Sequence, residues 1–178
     1  LSEYNLKRLL ELSDKPRGLI LVTGAHDSGK STTLSAILTH LNNIHKKIWV
    51  IGGQERKMPE GIRQTPLPLE VSQGSITPFE VILHADPDII MISDLADQAT
   101  AQTALTAALT SHLIFSAMTL RRCAEALERL LNMRLPSYEI ADALLAIIAQ
   151  RLVKKLCGRC KRRYIPNSEE LRMLVAEF

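Results

Sequence analysis

The chain has little net charge, no long apolar run and few cysteines. Its 22 lysines and arginines against 19 aspartates and glutamates leave +3, too small an excess to imply nucleic acid. No apolar stretch approaches the ~20 residues a membrane-spanning helix needs. Three cysteines without a secretory signal point to a reducing, cytoplasmic setting. Hydrophobic residues make up 46% of the chain, which excludes a disordered protein. The length of 178 residues is enough for one domain with a full core. There is no internal repeat and no low-complexity segment. What basic excess there is collects near the end, at Lys154, Lys155, Arg159, Lys161, Arg162 and Arg163. That cluster reads as a solvated face before it reads as a surface for a partner or lipid headgroups. The chain starts at Leu1 and ends inside a predicted helix, so a piece of a longer protein is expected.

The most informative feature is Gly24-Ala25-His26-Asp27-Ser28-Gly29-Lys30-Ser31. It fits G-x-x-x-x-G-K-[ST], the phosphate-binding loop of nucleoside triphosphatases, and each part has a physical job. The glycines let backbone N–H groups curl around phosphates. Lys30 places a cation near the β- and γ-phosphates, and the Ser31 hydroxyl can ligate Mg²⁺. A helix beginning here turns its positive dipole end toward the same anions. The flanks suit the motif: residues 18–23 read as a buried strand and residues 31–41 as a helix. The candidate nucleotide-binding residues are Gly24, Ser28, Gly29, Lys30, Ser31 and Thr32.

The rest of the chain alternates strands and helices. Residues 1–12 read as a helix broken by Ser13-Asp14-Lys15-Pro16, and residues 47–51 as a second strand. Residues 53–74 read as a long polar loop, with a short strand near 69–71. Thr77 and Glu80 form a capping box for a helix to about residue 85. Residues 89–92 read as a strand, 98–110 as an Ala-rich helix and 112–118 as a strand. Residues 123–132 and 137–148 read as helices, 151–154 as a final strand and 168–178 as a last helix. This alternation predicts a single α/β domain over residues 1–178, a mainly parallel sheet with helices on both faces.

A second motif is Asp88-Ile89-Ile90-Met91-Ile92-Ser93-Asp94. Phosphoryl-transfer enzymes place an acid at the carboxyl end of an apolar strand beside the phosphate loop. There it holds Mg²⁺, directly or through water, or orients the attacking water. Asp94 is the candidate catalytic acid, and with Ser31 the candidate Mg²⁺ ligand. Asp86 and Asp88 flank Pro87 before the strand and read as turn residues.

Six segments, in order, carry a family resemblance: 18–24 (Gly-Leu-Ile-Leu-Val-Thr-Gly), 29–34 (Gly-Lys-Ser-Thr-Thr-Leu), 86–91 (Asp-Pro-Asp-Ile-Ile-Met), 107–113 (Ala-Ala-Leu-Thr-Ser-His-Leu), 129–133 (Arg-Leu-Leu-Asn-Met) and 149–157 (Ala-Gln-Arg-Leu-Val-Lys-Lys-Leu-Cys). The chain resembles the hexameric ATPases of type II secretion and type IV pilus assembly over residues 15–164. Segments 86–91 and 149–157 are far more specific than the phosphate loop. The resemblance implies a RecA-like phosphate-loop domain that binds ATP and Mg²⁺. It also implies a homo- or hetero-hexamer, cytoplasmic and peripheral at the inner-membrane platform of a secretion or pilus machine. Finally, it implies an amino-terminal domain that helps enclose the nucleotide.

The departures are concentrated. After the strand ending near Met91, the family continues Val-Gly-Glu-Ile-Arg-Asp. Here Asp94 stands for the Glu and Ala96 for the Arg. The acidic box after the second strand is replaced by Gly52-Gly53-Gln54, with Glu55 able to substitute only if the loop shifts. His112 retains one family histidine, Thr119 replaces the second, and Leu83-His84-Ala85 replaces an arginine-bearing stretch. The binding half of the machinery is intact, and the half that orients water and senses the γ-phosphate is stripped. Three readings follow: an active ATPase using Asp94, a binding-only subunit, or an unrelated phosphate-loop kinase or DNA motor. Segment 149–157 opposes the third.

Cys157-Gly-Arg-Cys160 is either two reduced surface thiols or half of a zinc site. Structural zinc needs four ligands, so residues 157–178 would begin a zinc-binding subdomain completed beyond residue 178. His26 sits in the phosphate loop pointing outward, without a catalytic role. His40, His45 and His84 read as surface or packing residues, and Trp49 as a core residue.

Overall fold

The structure, a computed structural model, describes residues 3–52, 58–65 and 78–177. Its strands are β1 (Gly18–Thr23), β2 (Ile48–Ile51), β3 (Ile62–Thr65), β4 (Ile89–Ile92), β5 (Leu113–Met118) and β6 (Leu144–Ala149). The helices are α1 (Glu3–Ser13), α2 (Lys30–Leu41), α3 (Pro78–Leu83), α4 (Gln98–Thr110), α5 (Cys123–Asn132), α6 (Ser137–Ala143) and α7 (Ser168–Glu177). The strands form one parallel sheet in the order β3-β2-β4-β5-β1-β6. All six carboxyl ends therefore lie along one edge. This is the expected α/β, RecA-like architecture.

Both sheet faces are covered, which explains why its central strands are apolar throughout. Side chains alternate along a strand. Leu19, Leu21, Ile90, Ile92, Ile114 and Met118 pack on one face with Phe79 of α3, Ala101 and Leu105 of α4, Leu130 of α5 and Ile140 of α6. Ile20, Val22, Ile48, Val50, Met91 and Phe115 pack on the other with Leu9 of α1 and Leu34 and Leu38 of α2. Each such side chain, fully buried, stabilises the fold by roughly 1.5–3 kcal/mol. Helix α4 turns Ala101, Ala104, Ala107 and Ala108 inward, so its backbone can lie close to the sheet. Asp97 caps it, accepting from the Thr100 N–H at 2.8 Å.

Three expectations from the sequence are corrected. The helix expected over 137–148 ends at Ala143, and the rest becomes β6. The run Leu-Leu-Ala-Ile-Ile-Ala contains β-branched residues that suit a pleated strand, and pairing with β1 satisfies its backbone. The tertiary partner outweighs the local helical period. The final strand expected at 151–154 does not form; those residues are irregular and exposed, because β6 has taken the place beside β1. The loop expected over 53–74 contains β3, whose residues pair with β2 from Ile48↔Ile62 to Ile51↔Thr65. The strand expected near 69–71 and Thr77 of the capping box lie outside the described residues.

Candidate nucleotide site

The loop between β1 and α2 sits at the carboxyl edge, where ligands of parallel α/β sheets bind. Two backbone features shape it. Gly29 is the residue before α2 and has φ 84°, a left-handed conformation that suits glycine. Gly24 meets a different constraint: a Cβ there would lie 2.2 Å from Ser28 Oγ and 2.6 Å from the Gln150 carbonyl oxygen. Asp27 is also left-handed, with φ 56°, and its side chain is fully exposed. His26 beside it is exposed too, 3.9 Å away.

Gly29 offers no side-chain cap to α2. The first α2 amide to find an intrahelical carbonyl is that of Thr33, which donates to Gly29 O at 3.0 Å. The N–H groups of Lys30, Ser31 and Thr32 open the helix without such a partner, concentrating the positive end of its dipole. Lys30 Nζ folds back over the loop, donating to Gly24 O at 2.9 Å and Ala25 O at 2.8 Å. These carbonyls hold the ammonium against the loop. Two hydroxyls of this edge, Thr23 Oγ1 and Ser28 Oγ, are buried without a hydrogen-bond partner. Buried polar groups are normally satisfied; Ser35 Oγ of α2 and Trp49 Nε1 of β2 are in the same state elsewhere in the fold.

Asp94 lies beyond β4, on the same edge. Partial burial raises its carboxyl above the ordinary value. The positive charges of Arg129 and then Lys30, and the Leu95 N–H, pull the other way. Asp94 is therefore within electrostatic reach of the phosphate-loop lysine. Its hard oxygens and the Ser31 hydroxyl are the donor type that suits Mg²⁺. Arg129 also donates from Nη2 to Ala96 O at 3.2 Å, which puts a guanidinium beside the loop that carries Asp94. Thr119 follows β5 on this edge and is exposed. Gln54 and Glu55 lie outside the described residues.

His112 is at the opposite edge. Its Nδ1 donates to Pro87 O at 2.7 Å, its Nε2 accepts from Ser111 Oγ at 3.3 Å, and it is buried. It braces the turn before β4, far from the phosphate loop. Asp88 is there as well, its carboxylate accepting from the Lys47 N–H at 2.6 Å. Trp49 of β2 is half-buried, with the Arg63 guanidinium 5.5 Å from its ring centre.

Gln150, just past β6, has a role the sequence did not reveal. It appears in the specific segment 149–157, but its contacts come from residues over a hundred positions away. Its Nε2 donates to Ser28 O at 2.6 Å and its Oε1 accepts from Thr33 Oγ1 at 2.8 Å. Only a tertiary placement beside β1 could disclose this. Cys157 and Cys160 are exposed near a turn. The Arg159 N–H, then the Cys160 N–H and thiol, lower the Cys157 thiol. Cys123 is exposed as well, its Sγ 3.5 Å from Ile147 O.

The sequence model of the family described as "Type II/IV secretion system protein" matches residues 1–177. The chain belongs to this family. It is 37% identical over 170 residues to type II secretion system protein E of Dickeya dadantii (strain 3937), covering 96% of this chain and 34% of that protein. It is 37% identical over 153 residues to the type IV pilus assembly ATPase PilB of Acinetobacter baylyi (strain ATCC 33305 / BD413 / ADP1), covering 86% of this chain and 26% of that protein. Among solved structures, the pilus retraction motor PilT with bound ADP superimposes with a TM-score of 0.73 at 26% identity. That match covers 96% of this chain and 56% of the other. The chain spans about a third of the length of the curated relatives it matches.

Proposed function

We propose that residues 24–32 bind the phosphates of ATP. The surrounding domain would be the nucleotide-binding part of a type II secretion or type IV pilus assembly ATPase, with weakened hydrolysis. One observation carries the reading. Gly29 offers α2 no side-chain cap, so the first helix amides stand without intrahelical partners where Lys30 Nζ folds over the loop. Family membership supports it. Gly24 allows the loop its close approach to Ser28 and Gln150. Gly29, Lys30, Ser31 and Thr32 present N–H groups and an ammonium to the phosphates. Ser31 and Asp94 would hold Mg²⁺, which when bound neutralises phosphate charge.

The weakened hydrolysis follows from chemistry at the other strand ends of this edge. Asp94 is one methylene shorter than the family's glutamate, Ala96 carries no guanidinium and Thr119 no imidazole. A group displaced by about 1 Å can cost ~10²-fold in rate. A subunit that binds nucleotide but does not turn it over is the second reading, favoured by those same positions. In either case the domain would act in a homo- or hetero-hexamer, cytoplasmic and peripheral at an inner-membrane platform. No described helix is long and apolar enough to cross a membrane. Cys157 and Cys160 would supply half of a zinc site.

The test is paired: Mg-ATP affinity by calorimetry and phosphate release, for the full-length protein and its Lys30→Ala variant. Lys30-dependent binding is expected, with turnover well under the ~1 s⁻¹ at the low end of typical enzymes. Release at or above that rate would restore the active motor. Equal binding by both proteins would remove the nucleotide reading.

A further inference from the structure

We infer that Gln150 is a positioning residue for the phosphate loop, setting the direction of a loop amide from the neighbouring strand. The inference deepens the nucleotide reading above and rests on it. Gln150 follows the last residue of β6, and its own N–H donates to Thr23 O at 2.8 Å. This extends the β1–β6 ladder to the point where the loop begins. Its position is therefore fixed by the sheet rather than by the loop.

The side-chain amide can sit only one way. Ser28 O is a carbonyl and can only accept, so the NH₂ of Gln150 must face it, at 2.6 Å. Oε1 then faces Thr33 Oγ1, whose hydroxyl donates at 2.8 Å. Thr33 is on the first turn of α2 and Ser28 is in the loop, so one amide joins sheet, loop and helix.

The consequence for binding comes from peptide geometry. The bond between Ser28 and Gly29 is planar and trans, so its C=O and N–H point in opposite directions. Drawing the Ser28 carbonyl toward Gln150 turns the Gly29 N–H away from it. Gly29 has no Cβ and so has wide backbone freedom, which makes a restraint at this peptide useful. Gln150 supplies it from outside the loop. The Gly29 N–H is thereby oriented without help from a phosphate, and affinity gains from that preorganisation.

The test uses the full-length protein, calorimetry with Mg-ADP, and thermal denaturation. Four variants are compared with wild type. Gln150→Ala removes both side-chain bonds. Gln150→Glu puts a carboxylate oxygen against the Ser28 carbonyl. Thr33→Val keeps the shape and removes the hydroxyl, and Thr33→Ser keeps the hydroxyl. Loss of one or two oriented hydrogen bonds predicts an affinity fall of about tenfold or more for both Gln150 variants. Thr33→Val should fall between them and wild type. Thr33→Ser should bind as wild type, and melting temperatures should fall by no more than about 2–6 °C, the loss of one or two part-buried hydrogen bonds. Wild-type affinity in Gln150→Ala would overturn the inference. So would equal losses in Thr33→Val and Thr33→Ser, or affinity losses accompanied by melting temperatures that fall by more than about 6 °C. Wild-type protein that shows no Lys30-dependent binding would overturn the nucleotide reading itself, and the positioning role with it.

Discussion

The two edges of the sheet satisfy their polar groups to different degrees. At the amino edge the polar groups named above are paired with the protein itself. His112 uses both ring nitrogens. Asp88 exchanges hydrogen bonds with Lys47, accepting from its N–H and donating to its carbonyl at 3.0 Å. At the carboxyl edge Thr23 Oγ1 and Ser28 Oγ are buried without partners, and Asp94 is partly shielded from water. The contrast is one of degree, since Lys30 and Gln150 at the carboxyl edge are also paired with protein groups, but an unpaired buried hydroxyl costs stability where a paired one does not. The strands are common to both edges, so the difference lies in the residues just beyond their ends.

The largest expected effect tests the amino edge. His112→Ala removes two hydrogen bonds and a buried ring, leaving Pro87 O without its donor. We expect a loss of about 2–3 kcal/mol, read by denaturant unfolding, with Mg-ADP affinity unchanged within about twofold. A comparable fall in affinity would break the division between the edges and return His112 to the chemistry.

A smaller effect separates the edges through one shared feature. Asp27 in the loop and Asp86 at the amino edge both have positive φ, 56° and 49°. A left-handed residue with a Cβ is strained by roughly 1 kcal/mol. Replacing either with glycine should raise stability by about 0.5–1 kcal/mol. Only Asp27→Gly also removes a carboxylate from a loop read as an anion cradle. It should tighten Mg-ADP about threefold at low salt, with the gain shrinking as salt rises. Asp86→Gly should leave affinity alone. Equal effects of both on affinity would mean that loop charge is irrelevant to binding.

The sequence disclosed the two edges unequally. Local signals revealed the strand, turn and helix that carry the candidate phosphate loop, because the three are contiguous. They also revealed α4 and α5, whose bounds match the expected ones, and the turn role of Asp88. They failed where a tertiary partner decides. Residues 144–149 obey a helical period well enough to extend α6, yet β1 needed an edge neighbour. The segment from Ile62 to Thr65 has one residue of strong strand preference at each end. Its pairing with β2 and the Arg63–Trp49 contact make it a strand. Gln150 was visible as part of a motif, but the bonds that give it a role cross more than a hundred residues. His112 shows the converse: its place at the start of the expected strand 112–118 put it at the amino edge, but its bond to Pro87 O is tertiary.

The smallest expected effect concerns the one shifted carboxyl on the candidate site. Asp94 is raised by partial burial, against the pull of Arg129, Lys30 and the Leu95 N–H. A raised acid binds its proton more tightly in the folded state than in the unfolded one. It therefore favours folding below the ordinary carboxylate range, near pH 4, and loses that contribution as pH rises through its folded value. At neutral pH the ionised Asp94 is a net cost. Asp94→Asn should then be more stable than wild type at pH 7, by only ~1–2 °C because the group is only partly buried and solvent screens it. The gap should close toward pH 4. Asp88, by contrast, accepts from the Lys47 N–H, so Asp88→Ala, which leaves that donor without its partner, should be destabilising. If Asp94→Asn proved less stable than wild type at neutral pH, Arg129 and Lys30 would outweigh burial. Asp94 would then stabilise the fold as an ion-pair partner, and the contrast with the hydrogen-bonded Asp88 would disappear.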